Sequence, residues 1–236
     1  MANTIALRKQ YSTLLDEVYK LSSLTAVLDG PNELVKEGAN ANEILIPKLS
    51  MQGLADYNKS TGYVAGDVTL DYETKKCAYD RGRMFNVDAM DNIESAGIAF
   101  SRLSGEFLRT QVVPELDAYR LASYAQIPDV TTVKAALATG KEALAALRTA
   151  RGKIENAEAN LSTCYLFINP TVYGLIEDLD TTASKKAIEG FAGIIKVPSG
   201  RFYDKVKLNA SGAGGFTKDT GAVAMNFLIV DKQAAI

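Results

Sequence analysis

Apolar and polar positions change their period along the chain, and the changes predict its elements. Over residues 4–28, Leu7, Tyr11, Leu14, Val18, Leu21 and Leu28 recur at helical spacing, while Arg8, Lys9, Asp16, Glu17 and Lys20 fill the other positions. This predicts an amphipathic helix that ends at the Gly30-Pro31 break. Such a stripe can pack on its own domain or lie along a neighbour, and the pattern serves both. From Glu43 to Asp88 the period becomes two. Val68, Leu70 and Tyr72 alternate with Asp67, Thr69, Asp71 and Glu73, and a second run carries Cys77, Tyr79, Phe85 and Val87 with Arg81 and Arg83 on the same parity. These predict the strands of a long hairpin. Its outgoing half begins at ILIPKLSM, and its tip lies in ADYNKSTGYVAGD, which is rich in turn residues. Arms of about fifteen residues at ~3.3 Å each reach ~50 Å, whereas a domain of about 100 residues has a radius of gyration near ~13 Å. A hairpin of that length cannot lie wholly on its own body.

The stretch IESAGIAFSRLSGEFLRTQVVPELDAYRLASYA returns to helical spacing through Ile93, Phe100, Leu103, Phe107, Leu108, Leu116, Tyr119 and Tyr124. Pro114 is expected to kink this helix or to start a second one, with Glu115 in its first turn. Beyond Ile127-Pro128, the Ala-rich run from Thr131 to about Glu158 predicts a helix. TCYLFI then reads as a buried strand, and Asn169 caps a helix with Pro170 at its first position and Val172, Leu175, Ile176 and Leu179 along it. GIIKVP and AVAMNFLIV are further strands, joined by a Gly- and Lys-rich connection. The order of elements predicts an α+β chain ending in a mixed α/β unit.

Composition removes many kinds of chemistry. The 236 residues, 47% of them hydrophobic, can bury a sizeable core, and 26 basic against 28 acidic residues give no electrostatic reason to seek nucleic acid or an anionic membrane. There is no histidine, which excludes Ser-His-Asp and Cys-His arrangements and HExxH zinc sites. The two cysteines, Cys77 and Cys164, form no CxxC and fit a reducing compartment. No apolar run is long enough for a membrane span, and the first residues lack the pattern of a signal peptide. Gly140-Lys141 is followed by Glu142, and Ala135 stands where a P-loop needs its first glycine. GAGGF at 212–216 reads as a flexible loop. No cofactor or metal is expected.

The densest cluster of charge is YDRGRMFNVDAMDN at residues 79–92. It joins the returning hairpin strand to the long helix, where Asp88, Asp91 and Glu94 can satisfy free amides and favour the helix dipole. A carboxylate pair for acid–base or metal work would need convergent partners, and none is visible. The structural role is the expected one.

In this order and spacing, RGRMFNVDAMD, EFLRTQVVPELDAYRLASYA, FINPTVYGLI, GIIKVPSGRF and AVAMNFLIVDKQAAI resemble the major capsid proteins of tailed bacteriophages and prophages, over roughly residues 40–236. The resemblance implies a Hong Kong 97-type capsid fold with an N-terminal arm at 1–42. The extended loop (E-loop) hairpin with strands of the peripheral P-domain would follow at 43–88, the P-domain spine helix at 89–128 and the axial A-domain at 129–236. Members usually carry further C-terminal P-domain strands, and by the resemblance these are expected to lie outside residues 1–236. It also implies a homo-oligomer of pentamers and hexamers closing into an icosahedral shell, with a separate scaffolding protein and a portal. The packaged double-stranded DNA would be held without sequence-specific binding, in a virion capsid assembled in a bacterial cytoplasm, away from any membrane. By this resemblance Ile44, Ile46, Asp56, Asn58, Lys59, Val68, Leu70 and Tyr72 belong to an intersubunit surface on the E-loop, and Leu7, Tyr11, Leu14, Val18 and Leu21 to one on the arm. Asp88, Asp91, Pro114, Asn169 and Pro170 would be structural, and no residue catalytic. The alternatives are an encapsulin-like nanocompartment, which shares the fold but encloses an enzyme cargo, and an α/β enzyme, which would show a pocket with convergent titratable groups.

Overall fold

A computed structural model of the chain describes residues 23–29, 36–37, 43–60, 62–76, 78–85, 98–128, 130–133, 135–210 and 214–235. The chain is mixed α+β. It divides into two compact units, Pro31–Asn86 on the one hand and Met1–Gly30 with Val87–Ile236 on the other.

The smaller unit is a hairpin. Strands β1 (Lys36–Glu37), β2 (Glu43–Met51) and β3 (Val68–Lys76) form an antiparallel sheet in the order β1-β2-β3. β2 and β3 pair along nine residues each, from Glu43↔Lys76 to Met51↔Val68, a paired length of about 30 Å. The ~50 Å arms expected from the sequence are therefore too long. The difference arises on both sides: β2 ends at Met51 where the tip begins, and on the return side residues 78–85 alternate in sequence but lie in no strand. Pro47 sits inside β2, where it lacks a donor. A proline fits a strand only where that missing donor faces an open edge, and β1 pairs β2 only at Ile44 and Leu45.

The larger unit begins with helix α1 (Ile98–Phe107), which runs through a π turn at Leu108–Val112 directly into α2 (Val113–Ala125). Pro114 neither ends the helix nor starts a separate one. Its ring and missing N–H disfavour an ordinary α turn on its N-terminal side. The chain widens there instead, so that the Val113 amide donates to the Leu108 carbonyl five residues back. Helix α3 (Gly140–Asn156) starts later than the sequence suggested. Thr139 and Glu142 form a capping box, and the β-branched residues Val130, Thr131, Thr132 and Val133 before it stay irregular.

The sheet of this unit has the order β5-β4-β8, with β4 (Cys164–Ile168) central, β5 (Gly193–Lys196) parallel to it and β8 (Phe227–Asp231) antiparallel. Between β4 and β5 run α4 (Pro170–Glu177) and α5 (Thr182–Ile188), the crossover that a parallel pair requires. Alternation along β4 builds two cores. Leu166 and Ile168 pack with Ala143 and Leu147 of the preceding α3 and with Val172, Ile176 and Ala187 of the following α4 and α5. Phe167 points to the other side and packs with Leu28, Leu121, Val197 and Phe202. A strand covered on both faces reads as a continuous apolar run, which is why TCYLFI was recognisable. The Gly- and Lys-rich connection contains a small pair of strands, β6 (Val206–Leu208) and β7 (Phe216–Lys218).

The described part of the N-terminal stretch departs from its pattern. The helix predicted over 4–28 does not extend to its end, because Ala26–Leu28 is a single 3-10 turn whose Leu28 is buried in the second core. Leu7, Tyr11, Leu14, Val18 and Leu21 lie outside the described residues, as do Asp88 and Asp91.

Candidate functional site

The register of the hairpin sorts its side chains onto two unlike faces. In an antiparallel pair, residues directly opposite each other share a face. Glu43↔Lys76, Leu45↔Thr74, Pro47↔Tyr72, Leu49↔Leu70 and Met51↔Val68 therefore lie on one face, and Ile44↔Lys75, Ile46↔Glu73, Lys48↔Asp71 and Ser50↔Thr69 on the other. The first face is largely apolar and open: Leu49, Met51, Val68, Leu70 and Tyr72 are between 48% and 67% exposed. The second carries alternating charge, including a Glu73–Lys75 ion pair that holds the Glu73 carboxyl below its ordinary value.

This arrangement divides the residues proposed from the sequence. Val68, Leu70 and Tyr72 stand together on the exposed apolar face. Ile44 and Ile46 do not join them, for they point to the charged face and are half-buried. Leu45, Leu49 and Met51 take their place and were missed. EILIPKLSM is apolar on both parities, so its pattern alone does not choose a face, and a slip of one residue exchanges the two.

The described residues between β2 and β3 form a tip closed by a turn at Asn58 and Gly62. The Gly62 amide donates to the Asn58 carbonyl at 2.7 Å, and Asn58 Oδ1 accepts from the Ser60 amide at 2.8 Å. Gly62 takes φ +80°, which a side chain would resist. Tyr57 and Tyr63 flank this turn with ring centroids 5.0 Å apart. Both rings are exposed, as are Leu54 and Val64 beside them. Asp56 and Lys59 are exposed on the same loop, and Asn58 is its hinge. Exposed aromatic and aliphatic side chains gathered on one element mark an interaction surface.

Elsewhere the side chains have structural duties. Asn169 Oδ1 accepts from the Thr171 amide at 2.9 Å, with Pro170 opening α4 behind it, as the sequence predicts. Glu142 Oε2 takes the amides of Ala138 and Thr139, which hold its carboxyl below the ordinary 4.5. Burial pushes the Cys164 thiol up, and the nearby Asp231 charge adds to this, so the thiol is poorly suited to act as a nucleophile. Among the described residues, no group of three or more acidic, cysteine or histidine side chains converges to hold a metal. No helix among them is long and apolar enough to cross a membrane.

No protein-family model and no curated protein matches the chain. Among solved structures, a chain from Mycobacterium phage Che8 superposes with a TM-score of 0.47 and 13% sequence identity, over 75% of this chain and 76% of that one. At that score the likeness is too slight to bear on fold or function.

Proposed function

We propose that this chain is a shell-forming structural protein, a major capsid protein of the Hong Kong 97 type whose activity is self-assembly. The observation that carries the proposal is the hairpin's exposed apolar face together with its ordered aromatic tip. A two-stranded ribbon is only marginally stable alone in water, and contiguous apolar surface of this kind is normally covered by a partner. The order of elements supports the same reading: a hairpin, a long helix through Pro114 and an α/β unit follow one another as they do in the family that the sequence motifs resemble. A second copy of the chain is the proposed partner, and pentamers and hexamers its products.

The decisive experiment is size-exclusion chromatography with light scattering on the purified protein, followed by electron microscopy of the large fraction. Rings or closed shells are expected, alone or with a scaffolding protein. A monodisperse monomer at every concentration under both conditions overturns the proposal. Particles that hold a protein cargo and no DNA in the native host would identify a nanocompartment instead.

A further inference from the structure

Residues 23–29 have almost no regular structure, yet they are tightly held. Asp117, fully buried on α2, is the reason. Its Oδ1 accepts from Ser23 Oγ at 2.7 Å, Thr25 Oγ1 at 2.7 Å and the Thr25 amide at 3.2 Å, while Oδ2 accepts from the Leu24 amide at 3.0 Å. The Arg201 guanidinium stands 3.9 Å from Oδ2. One helical turn along α2, Arg120 reaches Thr25 Oγ1 at 3.3 Å and pairs with Asp29. Thr25 is as deeply buried as Asp117, and Leu28 then enters the core beside Leu121, Phe167, Val197 and Phe202.

A carboxylate that gathers four donors from one short segment recognises that segment's shape, because each donor removed leaves a buried lone pair unmatched. We propose that Asp117 is the positioning residue that straps residues 23–29 onto their own body, so that the chain enters the α/β unit at a fixed root, Ser23, in every copy. This strap is part of its own subunit and is not exchanged between copies. On the N-terminal side, the boundary between own core and any arm that serves a neighbour therefore falls before Ser23, not at the Gly30-Pro31 break. The inference stands on contacts within one unit and holds whether or not the chain forms shells.

Hydrogen exchange followed by mass spectrometry, resolved to residues 23–29 and to β4, tests it on the full chain. In Asp117→Asn, which keeps the volume but loses the charge and an acceptor, exchange of the Leu24 and Thr25 amides should rise about a hundredfold, as expected for lost charge-assisted bonds, while β4 keeps its protection. If Asp117→Asn does not fold, Ser23→Ala with Thr25→Ala removes two donors instead, with a rise of about tenfold. Unchanged exchange at Leu24 and Thr25 overturns the proposal, and so does an equal rise in β4, which would make Asp117 a support of the whole body. Protection of the strap should also be independent of protein concentration. A strap donated by a second copy would lose protection on dilution, and that result would overturn the assignment to one subunit.

Discussion

Charging the apolar face of the hairpin while leaving its fold intact is the sharpest test of the proposed assembly. Leu49 and Leu70 stand directly opposite each other and are 56% and 55% exposed. Full burial of a leucine is worth about 2 kcal/mol, so covering the open half of each contributes roughly 1 kcal/mol, or about 2 kcal/mol for the pair. The double replacement Leu49→Lys with Leu70→Glu removes that gain and adds two charges to be desolvated. It leaves the hairpin itself nearly unaffected, because an opposed Lys–Glu pair is compatible with an antiparallel ladder. Each hairpin contact should weaken by at least about thirtyfold, and a closed shell multiplies that loss over all its contacts. The assay is the threshold concentration for assembly by light scattering, with circular dichroism to confirm the fold. The control is Lys48→Ser with Asp71→Ser, which removes the opposed charge pair on the other face and should leave the threshold almost unchanged. An unaltered threshold in the leucine variant, or an equal rise in the control, would refute the assignment of the face.

Four further outcomes are expected of the same molecule. Replacing residues 52–67 with Asn-Gly joins Met51 to Val68, the last residues of the β2–β3 ladder, through a two-residue turn; the shortened protein should fold with a normal circular dichroism spectrum but form no closed particles by electron microscopy. Gly152 and Gly140 lie in the same helix, but an added Cβ meets nothing within 4 Å at Gly152, whereas at Gly140 it would collide with the Leu175 carbonyl oxygen. Thermal melting should therefore rise for Gly152→Ala, by about 1 kcal/mol of helix propensity, and fall for Gly140→Ala, by roughly 2 kcal/mol of overpacking. Glu142 has its folded-state value lowered, first by the Ala138 amide and then by Thr139, so its contribution is present above the ordinary 4.5 and is lost as pH falls through the lowered value; melting curves of the wild type and Glu142→Gln should converge as the pH drops below that range. Leu28→Ala empties part of the core beside Phe167 and Phe202 and should cost about 3 kcal/mol in denaturant unfolding, which a residue serving only a neighbour would not.

Much of the architecture was readable because local signals coincided there. Asn169-Pro170 combines a side-chain cap with a fixed φ, and the run before it is apolar at every position, so β4 and the start of α4 were visible together. The hairpin's outgoing strand and tip were visible from the change of period and the turn residues around Asn58 and Gly62. What was hidden depends on pairing at a distance. The return run at 78–85 alternates as a strand would, yet alternation specifies a face and not a strand, and these described residues lie in none. The half of the site formed by Leu45, Leu49 and Met51 was lost for the same reason, since only the register against β3 decides which parity of EILIPKLSM is open. Helix α5 escaped because its capping box, Thr181 with Ser184, uses a serine where a glutamate or glutamine is the recognisable signature. Asp117 carries no signal in the sequence, because its four donors arrive from more than ninety positions earlier in the chain.

The two units treat apolar surface in opposite ways, and the contrast locates where assembly would act. In the larger unit both sides of β4 are closed, one by α3, α4 and α5, the other by α2, Phe202 and the strapped Leu28. In the hairpin one face stays open along the paired strands, and Leu54, Tyr57, Tyr63 and Val64 of the tip are exposed as well. An open sheet invites two kinds of contact, edge to edge through free backbone groups or face to face through side chains. β3 is an edge strand among the described residues, and Asp71, Glu73, Lys75 and Lys76 give it the charges that discourage a foreign strand from adding to it. Three of those four charges point to the face opposite Leu49 and Leu70, and the fourth, Lys76, lies at the far end of the apolar face, paired with Glu43. Edge pairing would propagate without limit as a fibre, whereas a side-chain face with a defined register and a fixed tip can set one geometry for each contact. A closed shell requires the second kind of contact, and the hairpin's distribution of charge favours it over the first.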